Sequence, residues 1–186
     1  MTPRADSTRN RDQLLAVATH VFASAATEPS MRAIAREAGV GIATLYRHFP
    51  TMESLVDAVY QSQVVRLTTG ARELLDQLPP AVAMRRWMDL FGDWIATKNG
   101  MLDTLLAMIE TGEIAHEQTR IELLAAITTI LDAGRAVDDL RRDVTAEDIA
   151  ASLIGIFTVA PKSEREALAS RLLDLLMDGL RSPARR

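Results

Sequence analysis

The chain has 186 residues, 48% of them hydrophobic and 25% charged, with a formal net charge of −4 and no cysteine. This is the composition of an ordinary globular protein, long enough for one large domain or for a small module joined to a larger one. The missing thiols exclude disulfides, thiolate metal sites and thiol catalysis, and make a reducing cytosol the expected compartment.

The N-terminal stretch MTPRADSTRNRDQ is polar and lacks the apolar core of a signal peptide. No run approaches the roughly 18 apolar residues that cross a bilayer, so a cytoplasmic protein with no membrane partner is expected. Charge is unevenly spread. Residues 1–50 carry six arginines against four acids, whereas residues 51–186 carry fifteen basic and twenty-one acidic side chains. A basic N-terminal part on an acidic body can still dock a polyanion, because the local field decides where it binds.

Apolar residues recur at three- and four-residue spacing throughout, which predicts an all-α fold of about nine helices. The first spans about Arg9 to Ala25 with Leu14, Leu15, Ala18, Val21 and Phe22 as its stripe. Ser30 is placed to cap a second helix, Met31 to Ala38, which Gly39 ends. The third runs from Ile42 to Phe49 and closes on Pro50. Thr51 caps the fourth, which continues to about Gln77, where LPP is a hard stop. A fifth helix covers about Ala81 to Lys98 before the break KNG. A sixth covers Met101 to Thr111 and ends at Gly112, and a seventh covers Glu113 to Val137. DDLRRDV reads as a charged, solvated turn. Thr145, with Asp148 three residues on, caps the eighth helix, which ends before Pro161. Ser163 and Glu166 stand in the same relation at the start of a ninth, which reaches about Leu180, and RSPARR is a tail.

Helix, glycine turn and short helix over residues 31–49 is the helix-turn-helix pattern. Ala35 is small where two helices approach, Gly39 permits the positive φ of the turn, and Ile34, Ala38, Val40 and Leu45 supply apolar contacts. Leu45 and Phe49, at i and i+4, face inward. Ile42, Thr44, Tyr46, Arg47 and His48 are left for the other faces, where a duplex backbone satisfies a hydroxyl, a guanidinium and an imidazole. The first N–H groups of this helix also favour phosphate. Spacing alone leaves plain core architecture open as the other reading. On that reading Tyr46 is a half-buried core residue and His48 a cation at a helix C-terminus.

The stretch SMRAIAREAGVGIATLYRHFPTMESLVDAVY, Ser30 to Tyr60, resembles the DNA-binding segment of TetR-type transcriptional regulators, and RNRDQLLAVATHVFASAA resembles the first helix of that family. The resemblance implies a homodimer on a palindromic double-stranded operator, and a C-terminal domain whose small-molecule effector changes DNA affinity, with repression as the usual outcome. It places Arg32 at a phosphate or base, Gly41, Ile42, Ala43 and Thr44 along the base edges with Arg47 beside them, and Tyr46 and His48 on phosphates. Two positions depart from it. Met52 stands where many relatives have lysine, and Gly41 where a polar residue is common. Arginines 4, 9 and 11, on an N-terminal arm, are candidates to compensate at phosphates or in the minor groove.

The resulting division is a helix-turn-helix DNA-binding domain over residues 1–50 and a helical ligand-binding and dimerisation domain over 51–186, with the fourth helix, 51–77, as connector. Trp87, Phe91 and Trp94 at i, i+4 and i+7 read first as core packing and second as the lining of an effector pocket. The adaptable side chains Met101, Leu105 and Met108, with Thr104 and His116 as polar anchors, complete that candidate pocket. Glu110 and Gln118 are further polar candidates. The eighth and ninth helices are apolar enough either to be buried in one subunit or to form a four-helix interface between two; the resemblance implies the second. Enzyme chemistry lacks its residues. His20, His48 and His116 have no paired spacing, and there is no phosphate loop or nucleophile elbow. No cofactor, metal or catalytic residue is expected. The competing class is a non-DNA binding module, with the helical body as a small-molecule or protein carrier.

Overall fold

The computed structural model describes residues 3–159 and 165–182, with side chains over 10–159 and 167–182. Nine α-helices make up the described fold: α1 (Pro3–Ser24), α2 (Met31–Glu37), α3 (Ile42–His48), α4 (Met52–Leu75), α5 (Pro80–Gly100), α6 (Leu102–Glu110), α7 (His116–Ala136), α8 (Ala146–Val159) and α9 (Arg165–Leu180). The one β feature among these residues is an isolated antiparallel bridge between Leu140 and Arg181. The expected all-α class and helix order hold. Ser163, the side chain of Glu166, Pro161 and the last four residues, all assigned from the sequence, lie outside the described residues.

The chain forms two compact units, Met1–Gln63 with Asp93–His116, and Val64–Gly92 with Glu117–Arg186. In the first, α1 buries Leu14, Ala18 and Phe22, α2 buries Ile34 and Ala35, α3 buries Leu45, and α4 buries Leu55, Val56 and Val59. α1 begins six residues earlier than its apolar stripe suggested. Pro3 suits a first helical position, and nothing from Ala5 to Asn10 breaks a helix. The part of the expected arm before Arg9, with Arg4, is therefore helical as well.

The predicted break at Lys98–Asn99–Gly100 is also corrected, since α5 runs through it. Gly100 is there for close approach: a Cβ at this position would stand 1.8 Å from the carbonyl oxygen of Phe22. Helical geometry is lost one residue later, at Met101 (φ −123, ψ 23). α6 ends as expected at Gly112, whose φ is +77. The chain then buries Ile114 in a short turn, so α7 starts at His116 and not at Glu113.

In the second unit the indole N–H of Trp87 donates to the Leu67 carbonyl at 2.8 Å, which satisfies a buried donor. Phe91 packs between Trp87, at 5.8 Å, and Phe157, at 6.2 Å between ring centroids. Arg85 bonds Asp174 at 2.8 Å and Ser170 at 3.3 Å, tying α5 to α9. The segment expected to be a solvated charged turn is partly structural. Leu140 is fully buried, and Asp139 Oδ2 accepts from the Ala81 N–H at 2.8 Å, capping one of the orphan donors at the start of α5. Arg141 donates to Asp143 at 2.6 Å, and this hydrogen bond above all holds the Asp143 carboxyl down at about 2. Thr145 and Asp148 form the predicted reciprocal cap. Thr145 N–H donates to Asp148 at 2.8 Å, and Asp148 N–H donates to the Thr145 hydroxyl at 3.2 Å. The bonds from the Thr145 N–H and then its hydroxyl lower the Asp148 pKa.

Candidate nucleic-acid interface

The turn between α2 and α3 is built by a few local rules. Ser30 Oγ accepts the Ala33 N–H at 3.3 Å and caps α2. At the other end Gly39 takes φ +67, its N–H donates to Arg36 O at 3.1 Å, and the Val40 N–H reaches Ala35 O at 3.0 Å. That is a Schellman ending, which satisfies the last carbonyls and reverses the chain in two residues. α3 then starts on Gly41, which has extended backbone and no side chain to cap the helix. The Thr44 and Leu45 N–H groups both turn to the Gly41 carbonyl, at 2.9 and 3.3 Å.

α3 divides cleanly by face. Leu45 and Phe49 are fully buried. Ala43, Tyr46 and Arg47, related as i, i+3 and i+4, are exposed, with Tyr46 at 46%. Ile42, Thr44 and His48 flank them and are half-buried, and Arg32 is exposed on α2. An aromatic residue does not normally leave this much ring in water on a helix that has a buried face to offer. The exposed face carries a hydroxyl and a guanidinium, groups that bond phosphate oxygens and base edges.

The C-terminal end of α3 is held from two sides. The guanidinium of Arg11 lies 4.9 Å from the centroid of the Phe49 ring, a cation–π contact. The His48 and Phe49 rings are 6.5 Å apart. Thr51 and Ser54 then cap α4 reciprocally: Thr51 N–H donates to Ser54 Oγ at 3.1 Å, and Ser54 N–H to Thr51 Oγ1 at 3.2 Å. Met52 is the first residue of α4 and is half-buried. Arg11 falls both in the expected first helix and among the arm arginines; its contact with Phe49 is set by the packing of α1 and is invisible in the local pattern.

The family of bacterial regulatory proteins, tetR family, matches residues 14–59, and the SbtR-like transcriptional regulator C-terminal domain matches residues 79–182. The chain is similar to the TetR transcriptional regulator SCO0520 from Streptomyces coelicolor. Identity is 42%, with 94% of this chain and 99% of that one covered, at a TM-score of 0.81. The chain belongs to the TetR family of transcriptional regulators. A TetR transcription regulatory protein from Mycobacterium vanbaalenii is 33% identical over 97% of this chain and 99% of its own, with a TM-score of 0.74. The ketosteroid regulator KstR2 of Mycobacterium tuberculosis shares the fold at 18% identity, with 93% and 95% covered and a TM-score of 0.57. Among curated proteins none matches the chain significantly.

In this TetR-family protein the residues named for an effector pocket fall in both units. Trp87 and Phe91 are buried in the second, where Trp87 is bonded to Leu67. Trp94, Met101, Leu105 and Met108 are buried in the first. Thr104 is already engaged: Glu28 accepts hydrogen bonds from its hydroxyl and, at 3.1 Å, from its backbone N–H. His116, as the first residue of α7, is exposed. The sequence reading passed over Lys98, whose ammonium lies 5.3 Å from the centroid of the Trp94 ring. The signal was available, since a lysine four residues after a tryptophan shares its helix face. α8 and α9 pack on each other; α8 buries Ile149, Leu153 and Phe157 and α9 buries Ala169, Leu173 and Met177, yet each also exposes large apolar side chains. Ile154 is 55% and Leu175 66% exposed. No described group of three or more His, Asp or Glu side chains is arranged to hold a metal ion, and no described helix is long and apolar enough to cross a membrane.

Proposed function

We propose that the protein is a ligand-responsive repressor that binds a palindromic operator as a homodimer and is released by a small molecule. The observation that carries the DNA-binding half of this reading is the face of Ala43, Tyr46 and Arg47 on a helix whose opposite face is fully buried. On this reading α3 lies in the major groove, Tyr46 and His48 hold phosphates, and Arg32 contacts the adjacent backbone. Ile42, Ala43 and Thr44, with Arg47, read bases. Ile42 and Ala43 offer only apolar contact, best matched by thymine methyls, so DNA shape carries part of the specificity.

Residues 1–50 serve as the DNA-binding domain and residues 51–186 as the part that dimerises and senses ligand, with α4 as the lever between these tasks. The apolar faces around Ile154 and Leu175 support a four-helix dimer interface. Such an interface sets two copies of α3 about one helical turn of DNA apart, roughly 34–36 Å. The effector pocket draws on Trp94, Met101, Leu105 and Met108, all buried in the first unit. Effector and operator favour different spacings, so each weakens the other by the same factor. The site of action is the cytoplasm, and no step requires catalysis.

The test is a gel shift with the DNA upstream of the protein's own gene, at moderate salt and against excess nonspecific duplex. A specific, salt-sensitive shift is expected. Absence of any sequence preference, with or without small molecules, overturns the DNA-binding assignment.

A further inference from the structure

We propose that Lys98 is the anchor for the carboxylate of an organic acid with an apolar body, and that acids of this kind are the effectors of the protein. The inference rests on the reading above that the chain senses a small molecule, and it names the chemical class.

Lys98 sits in the last turn of α5 with its ammonium over the indole of Trp94, 5.3 Å from the ring centroid. Trp94 is itself packed against Tyr60 of α4, with ring centroids 6.4 Å apart. Lys98 is half-buried, and burial by itself lowers its pKa from the usual lysine value. No carboxylate pairs with it among the described residues. One turn back on the helix stand Trp94 and Ile95, neither of which carries a charge. The adjacent Thr97 hydroxyl is occupied by the Asp93 carbonyl at 2.9 Å. A surface lysine gains nothing from this position, because withdrawing an ammonium from water without a counter-ion is unfavourable. The contact with the indole offsets only part of that cost.

An arriving anion removes the imbalance. A single ammonium with no second cation beside it suits a monoanionic carboxylate better than a phosphate dianion, which calls for several donors or a guanidinium fork. The indole of Trp94 beneath the ammonium calls for an apolar remainder. A DNA phosphate is a poor candidate, because the duplex is rigid and presents its charge to exposed residues such as Tyr46 and Arg47, not to a half-buried one.

The test uses the full chain and matched probes: decanoate and 3-phenylpropionate against decanamide and 3-phenylpropionamide. Binding is measured by calorimetry and by the shift in melting temperature. Both are repeated on Lys98→Met, which keeps the length and apolar stem, and on Lys98→Arg, which keeps the charge. At least one acid is expected to bind at least tenfold more tightly than its amide. Lys98→Met is expected to erase that preference without lowering the melting temperature of the free protein, and Lys98→Arg to retain part of it. Amides that bind as well as acids overturn the assignment, as does an acid preference that survives in Lys98→Met, or a failure of both acids to bind. A mixed library of neutral compounds separates this failure from that of the parent reading. If neutral compounds bind and weaken operator affinity, the chain is a sensor of another class. If nothing in either set binds, ligand sensing itself is wrong.

Discussion

Glu28, in the connection after α1, accepts hydrogen bonds from both the backbone N–H and the hydroxyl of Thr104, the third residue of α6. Four N–H groups at the start of any α-helix lack partners, and here a carboxylate 76 residues away in sequence supplies the cap. The contact ties the segment leading into α2 to the start of α6. Glu28→Ala should lower stability to urea by about 1–2 kcal/mol, the range of a lost cap. Thr104→Val should cost less, because the backbone N–H keeps its acceptor. The double variant should be less destabilised than the sum of the two, and strict additivity would mean that the pair does not interact.

The glycines make a graded prediction. At Gly100 an added Cβ meets the backbone carbonyl of Phe22 at 1.8 Å, and backbone cannot step aside cheaply. Gly100→Ala should cost about 3 kcal/mol or more. Gly39→Ala meets nothing within 4 Å but holds φ +67, so about 1–2 kcal/mol is expected from the left-handed conformation alone. Gly41→Ser has neither problem, and its hydroxyl can cap α3, so stability should stay level or rise by a few tenths of a kcal/mol. Chemical denaturation of the three variants gives the order.

Tyr46 and Arg47 should separate grip from choice. Tyr46→Phe removes one phosphate bond and should weaken operator and random duplex alike, by about fivefold. Arg47→Ala should lose roughly 1–3 kcal/mol on the operator and narrow the gap to random DNA. Neither should change thermal stability, since both side chains are exposed. Fluorescence anisotropy on operator and scrambled duplex is the measurement. If both variants bind the operator as the native protein does, α3 is not in the groove.

Ile154→Glu and Leu175→Glu place charges at exposed apolar positions of α8 and α9, away from the buried side chains of both helices. Sedimentation should show monomers for either variant. Operator affinity should fall by roughly a hundredfold or more, the scale of lost bivalency. A dimer that persists in both variants puts the interface elsewhere.

Periodicity and punctuation determined most of the architecture. Ser30, Gly39, Thr51, Gly112 and the pair Thr145–Asp148 act within four or five residues of themselves, so their caps and turns were legible in the chain. So were the buried Leu45 and Phe49 and the exposed Tyr46 and Arg47 of α3, by helical geometry alone, whereas Ile42, Thr44 and His48, also read as outward, are half-buried. Tertiary structure decided what depends on a partner distant in sequence. KNG reads as a break until the Phe22 carbonyl arrives, after which Gly100 is a place where helix and backbone touch. Asp139 reads as a solvated acid until the N-terminus of α5 is beside it. Thr104 reads as an open anchor until Glu28 takes it, and Lys98 only as the end of a helix until burial sets it over Trp94. Local rules act through neighbours along the helix, whereas these four depend on which other helix comes to rest against them.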